Sequence, residues 1–194
     1  KASFIEAFLL LNFNMQFDFN YLATFLSLFY GLAIMHALTC ISSYIQNYKK
    51  ISNYWVWWIW AIYLIIVSCA LWMSLFERWG NLPNWERYYT VYLTLHSSLI
   101  YLLFSIFFDD FNTLKNASLE EQYYKNKKFF FIFLTVAIVA KIAGKLIVGG
   151  SINMYFNTLQ IFIFIFLAFS NNRKMHFILG LLSFLFLVMS VFRI

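Results

Sequence analysis

Uncharged apolar stretches alternate with short polar breaks along most of the chain, and the charges sit in the breaks. No charge occurs between Asp18 and Lys49, which predicts a first spanning helix over about 20–46. The interval from Lys50 to Glu77 predicts a second over about 54–76, and that from Arg87 to Asp109 a third over about 88–108. A fourth follows Lys127-Lys128 and runs to about 148, interrupted by Lys141 and Lys145. Gly149-Gly150-Ser151 is a turn signal; a fifth then occupies about 153–171, and Arg173-Lys174 separates it from a sixth at about 175–192. A bilayer core takes about 20 helical residues at about 1.5 Å rise each. The runs are continuously apolar and lack the alternation of barrel strands, so helices are expected. The predicted fold class is all-α: a polytopic transmembrane bundle of six spanning helices, one domain over 18–194. The stretch Ala2 to Phe17 is apolar but carries Glu6 and lacks the basic start and small-residue cleavage site of a signal peptide. Residues 1–17 are expected to form an interfacial or frayed lead-in. The start at Lys1 is expected to reflect processing or a missing upstream portion, with Met15 as the alternative native start and the residues before it an extension.

Composition agrees. Of 194 residues only 11% are charged, against about 25% in a soluble domain that must cover itself with solvated groups. One Pro and six Gly leave no flexible linker. The net charge of +6 suggests nucleic acid in a soluble protein, but here no basic stripe lies outside the loops, so no nucleic-acid partner is expected. With six spans, the loops after helices one, three and five share a face holding eight basic residues: Lys49, Lys50, Lys115, Lys125, Lys127, Lys128, Arg173 and Lys174. The opposite face holds Lys1, Arg78, Arg87 and Arg193. The positive-inside rule then makes the first face cytoplasmic and puts both termini outside. Omitting the doubtful fourth span would move Arg173 and Lys174 across and weaken the asymmetry. Tyr54, Trp55, Trp57 and Trp58 are expected to anchor one interface; Trp72, Trp79, Trp85, Tyr88 and Tyr89 are expected to anchor the other. Ser118-Leu-Glu-Glu121 has the capping-box pattern, predicting a short interfacial helix in the loop 109–128 that leads into the fourth span.

Polar groups inside hydrocarbon are expensive, so their positions carry the functional clues. Thr90, Thr94, Ser97, Ser98, Tyr101 and Ser105 fall on one face of the third helix. That stripe is expected to face other protein or internal water, as a helix–helix interface or, in the sharper reading, a hydrated path. The first helix carries His36, Thr39, Cys40, Ser43 and Asn47 beside a small-residue spacing, Ala33-x-x-x-Ala37. His36 and Cys40 at i, i+4 have metal-ligand spacing, but two ligands make no site. His96, the obvious partner, lies about 100° around its helix from the stripe, so no metal or haem is expected. Cys40 and Cys69 form no redox or disulfide framework.

Lys141 and Lys145 are the costliest residues, at about 2.5–3.5 kcal/mol for a lysine at the bilayer centre. They are one helical turn apart. Lys141 lies about 18 Å from Phe129, just past the middle, and is expected to point into the bundle or an oligomer axis. Lys145 is expected to snorkel to the outer surface near Asp18, Glu77 or Glu86. The pair reads either as a structural ion pair with snorkelling or as an anion or proton-coupled site. No H-E-x-x-H, G-x-S-x-G or phosphate loop occurs, so neither enzyme activity nor a cofactor is expected.

The run Phe25-Leu-Ser-Leu-Phe-Tyr-Gly-Leu-Ala-Ile-Met-His36-Ala-Leu-Thr, then Tyr54-Trp-Val-Trp-Trp-Ile-Trp60, Leu71-Trp-Met-Ser and Tyr123-Tyr-Lys-Asn-Lys-Lys-Phe-Phe, resembles a group of small uncharacterised bacterial six-helix membrane proteins. The resemblance covers most of 18–192 and implies the six-helix layout and a bacterial inner membrane; it implies no activity. Richness in Phe, Ile, Asn and Lys also fits an A+T-rich genome, leaving open an organelle-encoded respiratory-complex subunit in the mitochondrial inner membrane. The functional expectation is a small oligomeric channel or transporter. The alternative is a non-catalytic membrane subunit or sensor packed against partner proteins.

Overall fold

Residues 19–80, 82, 87–108, 118–148 and 154–192 are described by the structure, a computed structural model. They contain six α-helices: α1 Phe19–Gln46, α2 Trp55–Arg78, α3 Arg87–Phe107, α4 Leu119–Ile147, α5 Met154–Phe169 and α6 Arg173–Phe192. Five are long and apolar enough to cross a membrane, and the protein is a membrane-embedded all-α bundle. The exception is α5, whose 16 residues reach about 24 Å, short of a core about 30 Å thick. The expected lead-in over 1–17 lies outside the described residues.

Where α4 begins differs from expectation. Ser118 does cap it, its hydroxyl accepting from the Glu121 N–H at 3.5 Å, but no separate interfacial helix follows. The chain continues unbroken from Leu119 to Ile147. Glu, Gln and Lys are good helix formers and no Gly or Pro intervenes before Gly144, so the polar first turns extend the apolar helix.

Side by side the helices form a ring in the order α1, α3, α4, α5, α6, α2, closed by the α2–α1 contact. Helix α2 leans inward and also touches α3 and α4. The C-terminal ends of α1, α3 and α5 and the starts of α2, α4 and α6 lie at one end, here the basic-loop end. There the Leu119 N–H bonds the Ser52 carbonyl, the Tyr54 and Tyr124 hydroxyls lie 3.3 Å apart, and Arg173 pairs with Glu120 at 2.6 Å. Burial and the Tyr124 hydroxyl push the Tyr54 phenol well up, so it stays protonated. Asn172 caps α6, its Oδ1 accepting from the Lys174 and Met175 N–H groups.

Lipid tails are as apolar as leucine, so packing rather than water exclusion must hold such a bundle. The packing is aromatic. Trp57 stacks on Phe107 at 5.5 Å, and Trp60 meets Phe131 at 5.0 Å and Phe164 at 5.7 Å, all edge-to-face except the first. Such pairs contribute about 0.5–1.5 kcal/mol each. Trp57 and Trp79 therefore do not anchor an interface as expected: both are buried, because α2 sits inside the ring on those faces. Trp55 and Tyr88 do face outward. Trp85 lies outside the described residues.

Candidate functional site

Two adjoining cavities occupy the half of the bundle away from the basic-loop end. The larger, about 580 Å³, lies among α1, α2, α3, α4 and α6 and reaches Glu77, Arg78 and Trp79 at the end of α2. The smaller, about 370 Å³, lies deeper, between α2, α3, α4, α5 and α6. They share a wall that includes His96, Lys141 and Lys145. Toward the basic-loop end, the deeper cavity stops at Tyr63, whose ring meets Trp60 at 5.2 Å and with it the aromatic core.

Local structure explains how Lys141 comes to sit there. Gly144 follows it on α4, and a Cβ at that position would overlap the Tyr92 ring. The missing side chain lets α3 approach, and the Tyr92 hydroxyl donates to the Ala140 carbonyl at 2.8 Å. Tyr92 in turn stacks between Trp79 at 5.4 Å and His96 at 5.9 Å. This column of three rings runs from the mouth of the larger cavity to the shared wall. His96 is only 7% exposed, and its Nε2 has no hydrogen-bond partner. A buried polar nitrogen without a partner costs about 1–3 kcal/mol, so a group that could fill the cavity and bond it would be stabilised there. Lys141, Lys145 and Arg78 lie close enough to act electrostatically on one another. Glu77 shares the larger cavity with them, while Asp18 and Glu86, the other expected partners of Lys145, lie outside the described residues.

The hydroxyl stripe of α3 is placed differently from expectation. Ser97, at its edge, is fully buried opposite Tyr30, Thr94 and Ser98 are half-buried, and Tyr101 and Ser105 face outward. The inward face of α3 is instead that of Leu93, His96, Ile100 and Leu103, more than a quarter turn away from the stripe centre. The hydroxyls tolerate this because they bond within their own helix: Ser98 Oγ donates to the Thr94 carbonyl at 2.8 Å and Ser105 Oγ to the Tyr101 carbonyl at 3.2 Å. Thr39 and Thr135 do the same.

His36 and Cys40 do not join the cavity. His36 Nε2 donates to the Phe108 carbonyl at 2.9 Å, supplying a partner just past the end of α3. Cys40 is a buried free thiol, and no cluster of three His, Cys, Asp or Glu exists among the described residues. Sequence reasoning missed a second knot, at the basic-loop end. His176 is fully buried; its Nε2 donates to the Ser170 carbonyl at 2.9 Å, which leaves Nδ1 to accept from the Tyr123 hydroxyl at 2.7 Å in the neutral ring. The Lys127 ammonium also donates to the Ser170 carbonyl, so this lysine serves the C-terminus of α5 as well as the basic face. Its burial against one carbonyl leaves no signal in spacing or composition.

Comparison with known proteins adds no family: no family model, curated protein or solved structure matches the chain.

Proposed function

We propose that the protein is a small inner-membrane transporter that takes an anion from the non-cytoplasmic side into the cavity around Lys141. The observation that carries this reading is the shared wall, where two lysines and an unpartnered, buried histidine nitrogen face the same space. An ammonium in hydrocarbon must find water, a carbonyl, a carboxylate or an anion, or shed its proton. Six crossings are favoured because the odd-numbered loops gather at one end, which needs α5 to run the length that α1 and α3 run. Its shortness is met by tilt of its neighbours or local thinning of the bilayer. The eight basic residues at that end favour a cytoplasmic assignment, with the cavity mouth outside. The aromatic core closes the path on the cytoplasmic side, as in one state of an alternating-access cycle. Because the cavity lies within one chain, binding needs no second copy; a bacterial membrane is favoured by the family resemblance.

Lys141→Met tests the reading. In proteoliposomes, uptake of a small carboxylate or phosphate should fall to background while the folded bundle is retained, since methionine removes the desolvation cost together with the charge. Unchanged uptake in a well-folded variant would end the transport reading and favour the subunit or sensor alternative, in which the same change alters stability and assembly alone.

A further inference from the structure

The two cavities differ in their walls. The larger has Tyr30, Ser74, Arg78 and Tyr92 around the cations and opens toward the end of α2. The deeper one shares His96, Lys141 and Lys145 with it and adds Asn157 and Gln160 from α5, but the wall away from these is apolar: Ile100, Leu103, Leu134, Ile138, Phe156 and Phe186. A hydrated inorganic anion has no use for such a wall, and an apolar chamber gains most when an apolar group replaces weakly held water. The deeper chamber also reaches the side of the bundle. Phe156 on α5 and Met189 on α6 both line it, and each is 45% exposed. The Phe156 and Phe186 rings meet edge-to-face at 5.6 Å across this seam. Here α5, the shortest helix, has only just begun.

Resting on the proposed anion site, we infer that its substrate is an anionic amphiphile drawn from the bilayer: a carboxylate or phosphate head held by Lys141 and Lys145, with an apolar chain in the deeper chamber, admitted between α5 and α6. Charge complementarity fixes the head, the apolar wall fixes the chain, and the seam supplies a route that keeps the chain out of water.

The test is photo-crosslinking in proteoliposomes with a diazirine-bearing long-chain fatty acid, followed by mapping of adducts. Adducts are expected on inward residues such as Leu103 and Ile138, beyond those on lipid-facing positions. Dodecyl phosphate should compete with them at least about tenfold more effectively than inorganic phosphate, because only the former has a chain to bury. Lys141→Met should remove the inward adducts and leave the lipid-facing ones. Leu134→Phe, about 10 Å along α4 from Lys141, narrows the end of the deeper chamber away from the cations and should also reduce them while small-anion uptake persists. Competition by phosphatidylglycerol would name a two-chain lipid as the natural source, and competition by dodecyl phosphate alone a single-chain one; either carries the inference. Adducts confined to lipid-facing residues, or equal competition by inorganic phosphate, would overturn it. The transport reading would then survive if small-anion uptake still depended on Lys141, and fail with it if that uptake did not.

Discussion

A single added carbon at Gly144 should be felt more than most substitutions in the bundle. The Tyr92 ring that a Cβ would meet cannot swing aside freely, because Trp79 and His96 stack on its two sides and its hydroxyl is bonded to Ala140. Gly144→Ala is therefore expected to destabilise by about 1–3 kcal/mol, the usual range for overpacking, despite the better helix propensity of alanine. Tyr92→Leu should recover part of that loss, measured as a double-mutant cycle in detergent unfolding. Additive effects would show that the two positions do not press on each other. At this scale the sequence was half legible. Lys141 stands out because a charge inside an apolar run is visible without knowing the fold. His96 does not, since its importance depends on which way α3 faces, and the hydroxyls that seemed to mark the inner face satisfy themselves on the outer one.

At the level of elements, charges separated the apolar helices well and located the helix ends less well. The break at Lys127-Lys128 marks where apolar residues begin, but α4 starts at Leu119, because a helix ends at a cap or a breaker and not at a change of polarity. The Ser118 N-cap itself was readable. Ser118→Ala should cost about 1 kcal/mol and fray the first turn of α4. Glu120→Gln should cost less than about 1 kcal/mol, because the Arg173 partner is largely exposed and a solvent-screened pair is weak. Hydrogen exchange at the α4 N-terminus separates the two; equal effects would mean that the ion pair, and not the cap, fixes the start. The inward lean of α2 was not legible. A tryptophan-rich helix start reads equally as an interfacial belt or as a buried packing face, and only the neighbouring Phe107, Phe130 and Phe131 decide between them.

For the whole molecule, the six described helices could be counted from hydropathy alone, because a helix suited to lipid satisfies its own backbone and appears as an unbroken apolar run. How the ring closes could not be read, since every helix carries apolar residues on most faces and no periodicity singles out a partner. The cavity arises only from that closure. The proposed one-sided opening is tested most directly by a cysteine at Lys141, on the wall that the two cavities share. In a background lacking Cys40 and Cys69, Lys141→Cys is exposed to a membrane-impermeant thiol reagent from each side of the membrane in turn. Tyr155→Cys and Lys174→Cys, both on exposed positions, report the two faces. Lys141→Cys and Tyr155→Cys are expected to react from the non-cytoplasmic side and Lys174→Cys from the cytoplasmic side. Reaction of Lys141→Cys from the side that labels Lys174→Cys, or from neither side, would contradict that opening.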